Sequence, residues 1–272
     1  MDSNLLKTNF YFPENLENIK NKDDIVQKIV SSMKKDRSID YAGFSEDKEL
    51  IDSVSKHLGN EEVGSYHGLS DSQKEEIEEI IHESVKKCNE KLPLPTKLFV
   101  FVFPWFSSKE EDKYFNGIMG LAPYSCVFHL FINPKTFTKE SLRETVAHEL
   151  NHTVFYYNHY NDLHDYTLLD HCIIEGLAEN FREDVMGGDP APWSIALSEK
   201  EAFKTLESVE SLLSSKDQKL HKDFLFGNDK YKKWSGYSVG YWIVKNFIKN
   251  NKSLTWEEIM KKFSDFFLID WK

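Results

Sequence analysis

Disulfide chemistry has little to work with in this chain: cysteine occurs three times in 272 residues, at Cys88, Cys126 and Cys172. The number is odd, the positions are isolated and no Cys-x-x-Cys pair exists, so neither a disulfide framework nor a cysteine metal site is expected. Cys126 and Cys172 suit small buried apolar positions instead. Positive charge is also short. Thirty-four Lys and Arg stand against 45 Asp and Glu, a formal net charge of −11. That balance disfavours nucleic acid and anionic membrane surfaces as partners. The Lys-rich stretch Lys230–Lys233 is brief and reads as solvated surface. Long apolar runs are missing as well: Leu98–Phe106 falls far below the ~20 residues that cross a bilayer. The start, Met1-Asp-Ser-Asn, lacks the basic segment and apolar run of a secretory leader. A cytoplasmic protein is expected. Internal repeats and low-complexity tracts are also absent.

Hydrophobic residues make up 40% of the chain, enough for one large domain or two small ones. The first third reads as helical. Ile25, Val26, Ile29, Val30 and Met33 recur at helical spacing, as do Leu50, Ile51, Val54 and Leu58 before Gly59. Residues 59–68 are polar and Gly-containing, a candidate hinge. Ser72-x-x-Glu75 then fits a cap for a helix reaching Leu92. Pro93-Leu-Pro95 punctuates the chain. Two apolar runs follow, Lys97–Phe103 and Cys126–Ile132, and both read as strands. The intervening Ser107–Tyr124 reads as a loop. Residues 1–91 are therefore expected to form an N-terminal helical region, and 92–272 a second domain.

The most informative line is His148-Glu149-Leu150-Asn151-His152. Helix positions four apart lie about 40° apart in projection and ~6 Å along the axis. Two imidazoles so placed can converge on one metal ion, with Glu149 beside them as a base for a water. The surroundings suit a helix over roughly 138–158. No Gly or Pro interrupts it, Ser141-x-x-Glu144 fits a capping box, and Leu142, Val146, Leu150 and Val154 form an apolar stripe. Lone histidines on apolar helices are usually structural. Two of them four apart, with Glu adjacent, weigh against that reading.

A third ligand must come from elsewhere. The extended form with a later Gly and His is not met, because Phe155 and Asn158 occupy those places. His159 would lie about 10 Å beyond His152 and reads as surface or helix end. A second helix, capped by Thr167 and Asp170 and stopped at Gly187-Gly188, offers Glu175 among Ile173, Ile174, Leu177 and Ala178. A carboxylate in such a run is costly to bury without a compensating charge or metal. Glu179 lies one turn on and could orient His148 or His152 through the imidazole nitrogen that a metal leaves unused. Exposure on a polar stripe is the alternative for both glutamates.

His-Glu-Leu-Asn-His, Thr167-Leu-Leu-Asp170 and Glu175-Gly-Leu-Ala-Glu179 together resemble the bacterial YjaZ-type predicted zinc-dependent proteases, a domain of unknown function. Gly236–Tyr241 and Gly117–Pro134 are similar to further family segments, and the resemblance runs from about Leu92 to the C-terminus. It implies an α+β, zincin-like fold: mostly helical, with a small sheet packed on the metal-binding helix. It implies zinc as cofactor and a gluzincin-type ligand set, with His148, His152 and Glu175 on the metal and Glu179 in support. It implies a peptidase in which a metal-activated water attacks the peptide carbonyl with Glu149 as general base. The later segments supply an oxyanion donor, Tyr237 first and Tyr241 second, the latter reading more naturally as a core aromatic. The substrate is then a peptide or protein. The 117–132 segment is the candidate edge strand for pairing with it, while His129 on it reads as structural. Two other readings stand: a non-catalytic zinc-binding regulatory module, its coordination closed by His164 or His171, or a metal hydrolase of a non-peptide amide or ester. The residues do not give an oligomeric state.

Overall fold

The structure, a computed structural model, describes residues 8–12, 19, 21–34, 47–59, 69–94, 97–159 and 165–271. Most of the 59–68 segment, and His164, lie outside them. The described residues form an α+β fold of ten helices and a four-stranded sheet. By compactness the chain divides into two units, Met1–Lys86 with Leu94–Glu149, and Lys87–Pro93 with Leu150–Lys272.

The first unit contains β1 (Thr8–Tyr11), α1 (Lys22–Met33), α2 (Asp47–His57), β2 (Leu98–Pro104), α4 (Lys109–Phe115), β3 (Ile118–Tyr124) and β4 (Val127–Ile132). It also holds most of α3 (Asp71–Lys91) and the first half of α5 (Lys139–Asn158). The sheet order is β1-β2-β4-β3, with β1, β2 and β4 parallel and β3 antiparallel to β4. Every residue of β2 and β4 is buried. This is why both read as unbroken apolar runs rather than alternating ones. Phe99, Phe101, Phe103, Val127 and Phe131 share one face and one core with the stripe of α1 and with Val54 and Leu58. His129 lies among these rings, 5.5 Å from Phe101 and 5.3 Å from Phe103 by ring centroid. It is structural.

Several local expectations are corrected here. Ser107–Tyr124 is no loop. Ser108 and Glu111 close a capping box that starts α4, Asn116 ends it in the left-handed conformation, and β3 follows. α4 buries no residue, so it lacks the apolar stripe that periodicity detects. The N-terminal third holds β1, a strand too short to show a period and given its place by pairing with β2. α5 begins one turn before the Ser141/Glu144 box: Thr138 and Ser141 bond reciprocally, each backbone N–H donating to the other's hydroxyl at 3.0 Å. Ser141 also donates to Asn116 O, 3.2 Å away, which fixes it inside the helix rather than at its cap. α3 likewise uses Ser70 and Gln73, not Ser72 and Glu75.

The second unit is helical: α6 (Leu168–Met186), α7 (Glu199–Ser208), α8 (Gln218–Phe226), α9 (Ser235–Asn250), α10 (Trp256–Ile259) and a final 3-10 segment, Ser264–Trp271. α6 has the expected Thr167/Asp170 capping box and ends at Gly187. α8, capped by Asp217, is not apparent from the sequence pattern. α10, opened by a Thr255/Glu258 capping box, stops at Ile259, and Ser264 farther on donates to Asp170 Oδ1 at 2.5 Å. α6 and α9 approach closely at Gly176 and Gly240, where an added Cβ would overlap the other helix's backbone. Cys172 lies fully buried at this contact, and burial pushes its thiol well up; Cys126 is half-buried, and burial raises its thiol as well.

Candidate metal centre

His148, Glu149 and His152 sit mid-way along α5, and Glu175 near the centre of α6. Leu142, Val146, Leu150 and Val154 are all buried. The apolar stripe thus fixes the rotation of α5, and the two imidazoles follow from it one turn apart on a shared face. His148, His152 and Glu175 each offer one ligand atom, all within 4.8 Å of one another. His152 Nε2 lies 3.7 Å from Glu175 Oε2. Tetrahedral zinc with bonds of about 2.1 Å separates its donors by about 3.4 Å. The donors here are set somewhat wider, at 3.7 Å for His152 and Glu175 and within 4.8 Å overall; two imidazole nitrogens and one carboxylate oxygen suit zinc by their chemistry and match the three-ligand composition of open rather than closed zinc sites. Among the described residues no further His, Cys, Asp or Glu joins the group.

His152 is buried, and its ring stacks on Tyr156 at 6.2 Å. Beside it, buried Asn151 directs its amide to Met260 Sδ at 3.4 Å. Glu149 is 5% exposed, and its carboxylate lies against the backbone of Gly120 on β3. Among the described residues β3 has a hydrogen-bonded neighbour, β4, on one side only. The edge strand expected within 117–132 is therefore β3, while β4 is interior.

Glu179 is 1% exposed. Its Oε2 accepts from Arg182 Nε at 3.1 Å and its Oε1 from Trp193 Nε1 at 2.8 Å. Arg182 also donates to Asp189 O at 3.0 Å. Glu179 thereby joins α6 to the segment after it. Arg182 stands three positions after Glu179, a helix spacing that pairs opposite charges and signals this contact in the sequence, whereas no spacing relates Trp193 to Glu179. Glu175, by contrast, is part-exposed on the same helix.

Tyr237 lies in the first turn of α9, half-buried, with its ring 5.9 Å from Phe226. Tyr241 is fully buried and bonded to Lys245; burial, reinforced by Glu183, pushes its phenol well above the usual tyrosine range. It is a core residue, not a titrating one. His159 follows the last residue of α5, as expected of a helix end, but it is buried rather than on the surface. It stacks on Phe155 at 4.3 Å and bonds Met260 O at 2.8 Å. His171 stands outside the metal group and pairs with His221, centroids 4.8 Å apart; burial and His221 lower its pKa.

Residues 77–267 match the family described as predicted Zn-dependent protease (DUF2268). The uncharacterized protein YjfC of Bacillus subtilis (strain 168) is 27% identical over 150 residues, covering 50% of this chain and 48% of that protein. The matched stretch thus spans about half of each. No solved structure matches the chain. The family match extends from α3 into the final 3-10 segment and takes in every candidate ligand, and the chain belongs to the family of predicted Zn-dependent proteases.

Proposed function

We propose that this protein is a zinc-dependent peptidase, with His148, His152 and Glu175 as the zinc ligands and Glu149 as general base. The observation that carries the reading is the three-donor group with a carboxylate next in sequence to one ligand. Zinc held there would supply Lewis-acid polarisation of the scissile carbonyl and acidify the attacking water. The chain's own groups do the rest. Glu149 takes a proton from the water as the water attacks, and passes it to the leaving nitrogen as the C–N bond breaks. Its burial suits a base that works away from bulk solvent.

The side of β3 that carries no strand among the described residues offers backbone N–H and C=O groups to an extended substrate chain. This favours a peptide or protein substrate over a small amide. Glu179 holds its part of α6 rigid through Arg182 and Trp193 and supports the ligand face. Tyr237 is the proposed donor to the oxyanion, since it is half-exposed whereas Tyr241 is sealed in the core.

The test is digestion of a quenched-fluorescent peptide mixture by zinc-loaded protein. Cleavage is expected, with loss on chelation and recovery on adding zinc. Glu149→Gln should bind zinc at the wild-type stoichiometry and lose at least about 100-fold in rate, the lower range for general-base contributions. A Glu149→Gln protein that cleaves at the wild-type rate overturns the reading.

A further inference from the structure

Gly120 occupies the middle of β3, where glycine is locally unfavourable: it weakens a strand and gives it no side chain to pack. Its backbone does not require glycine, for it is not among the positive-φ residues of the chain. The constraint comes from Glu149. A Cβ built at Gly120 would strike Glu149 Oε1 and lie 2.5 Å from its Cγ and 2.6 Å from its Cδ. The neighbouring even-numbered positions of the strand, Ile118 and Ala122, carry side chains and are buried at 2% and 5% exposure. Only at position 120 does the strand withdraw its side chain, and the space so left is filled by a carboxylate.

We propose that Gly120 is a positioning residue for the general base: the missing Cβ sets the rotamer in which the carboxylate of Glu149, next in sequence to the ligand His148, is held against β3. Any larger residue at 120 swings that carboxylate away from its position while leaving His148, His152 and Glu175 in place. The inference rests on the proposed peptidase function for its catalytic consequence, and on sterics alone for the coupling between the two residues.

Two measurements on the full-length, zinc-loaded protein test it. The first is kinetic, with the same peptide mixture. Gly120→Ala should keep full zinc occupancy and lower kcat roughly 100-fold, the scale of a misplacement near 1 Å, with KM changed little. Glu149→Asp is shorter by one methylene and clears an alanine at 120. The double variant Gly120→Ala/Glu149→Asp should therefore be faster than Gly120→Ala alone. A merely structural glycine predicts the opposite, two losses that multiply.

The second measurement needs no activity. Gly120→Ala should lower the thermal midpoint in wild-type background and leave it unchanged in Glu149→Ala, where the carboxylate is gone. Equal losses in both backgrounds, or no rescue by aspartate in an active enzyme, overturn the proposal. A thermal coupling present in a wild-type protein that cleaves nothing would uphold the steric pairing, overturn the catalytic role and count against the peptidase function itself.

Discussion

At the scale of single residues, the chain places ionisable groups in surroundings that decide their charge. His129 is the sharpest case outside the metal centre. It is 3% exposed among Phe101, Phe103 and Phe131. Burial, with a smaller contribution from the charge of His57, drives its pKa down to about 3. In the unfolded chain a histidine takes up its proton near ~6.5. Between about 6.5 and about 3 the unfolded state binds a proton that the fold refuses, so stability contributed by the neutral ring is lost as pH falls through that window. His129→Phe keeps an aromatic ring and removes the titration. We expect the wild-type protein to lose about 2 kcal/mol more than His129→Phe between pH 7 and pH 5. Urea unfolding at the two pH values measures this, and equal losses would contradict it. His129 could be set aside as structural from sequence, because it stood alone in an apolar strand. Gly120 could not be singled out, because its meaning lies in a side chain 29 positions away.

Among the elements, helix caps and apolar stripes were the most legible features. Thr167 with Asp170, Ser198 with Glu201 and Thr255 with Glu258 all close the boxes their spacing suggests. Where two boxes overlap in sequence, as at Thr138/Ser141 and Ser141/Glu144, spacing alone does not choose between them. The contact of Ser141 with Asn116 does. The close approach of α6 to α9 depends on Gly176 and Gly240. Alanine at 240 would gain about 1 kcal/mol of helix propensity, but its Cβ would press on the Cys172 carbonyl, and backbone on both sides leaves nothing to yield. Gly240→Ala should therefore be destabilising by about 1–3 kcal/mol net, read as a lowered midpoint in chemical denaturation. An unchanged or raised midpoint would mean that the helices can separate without cost.

For the whole molecule, a bound zinc would tie α5 to α6, and folding would be linked to metal. At free zinc a hundredfold above its dissociation constant, the folded state gains about 2.7 kcal/mol. Adding zinc to chelator-treated protein should raise the thermal midpoint by several degrees. Glu175→Ala removes one donor, so it should lower the zinc content and most of that rise. Full metal stoichiometry in Glu175→Ala would instead assign the third ligand to another acid. The sequence by itself determined the helix that carries His148, Glu149 and His152, the capped helix that carries Glu175, and the buried character of β2 and β4. Each of these is written in a local period of two to four residues or in an unbroken apolar run. Tertiary structure alone decided the rest. It paired Thr8 with Leu98 across the sheet, put α1 and α2 on the same core as β2 and β4, and brought Glu175 to the histidines. It also laid Gly120 against the base. Such contacts join residues tens of positions apart, and the packing that selects them leaves no local repeat in the chain.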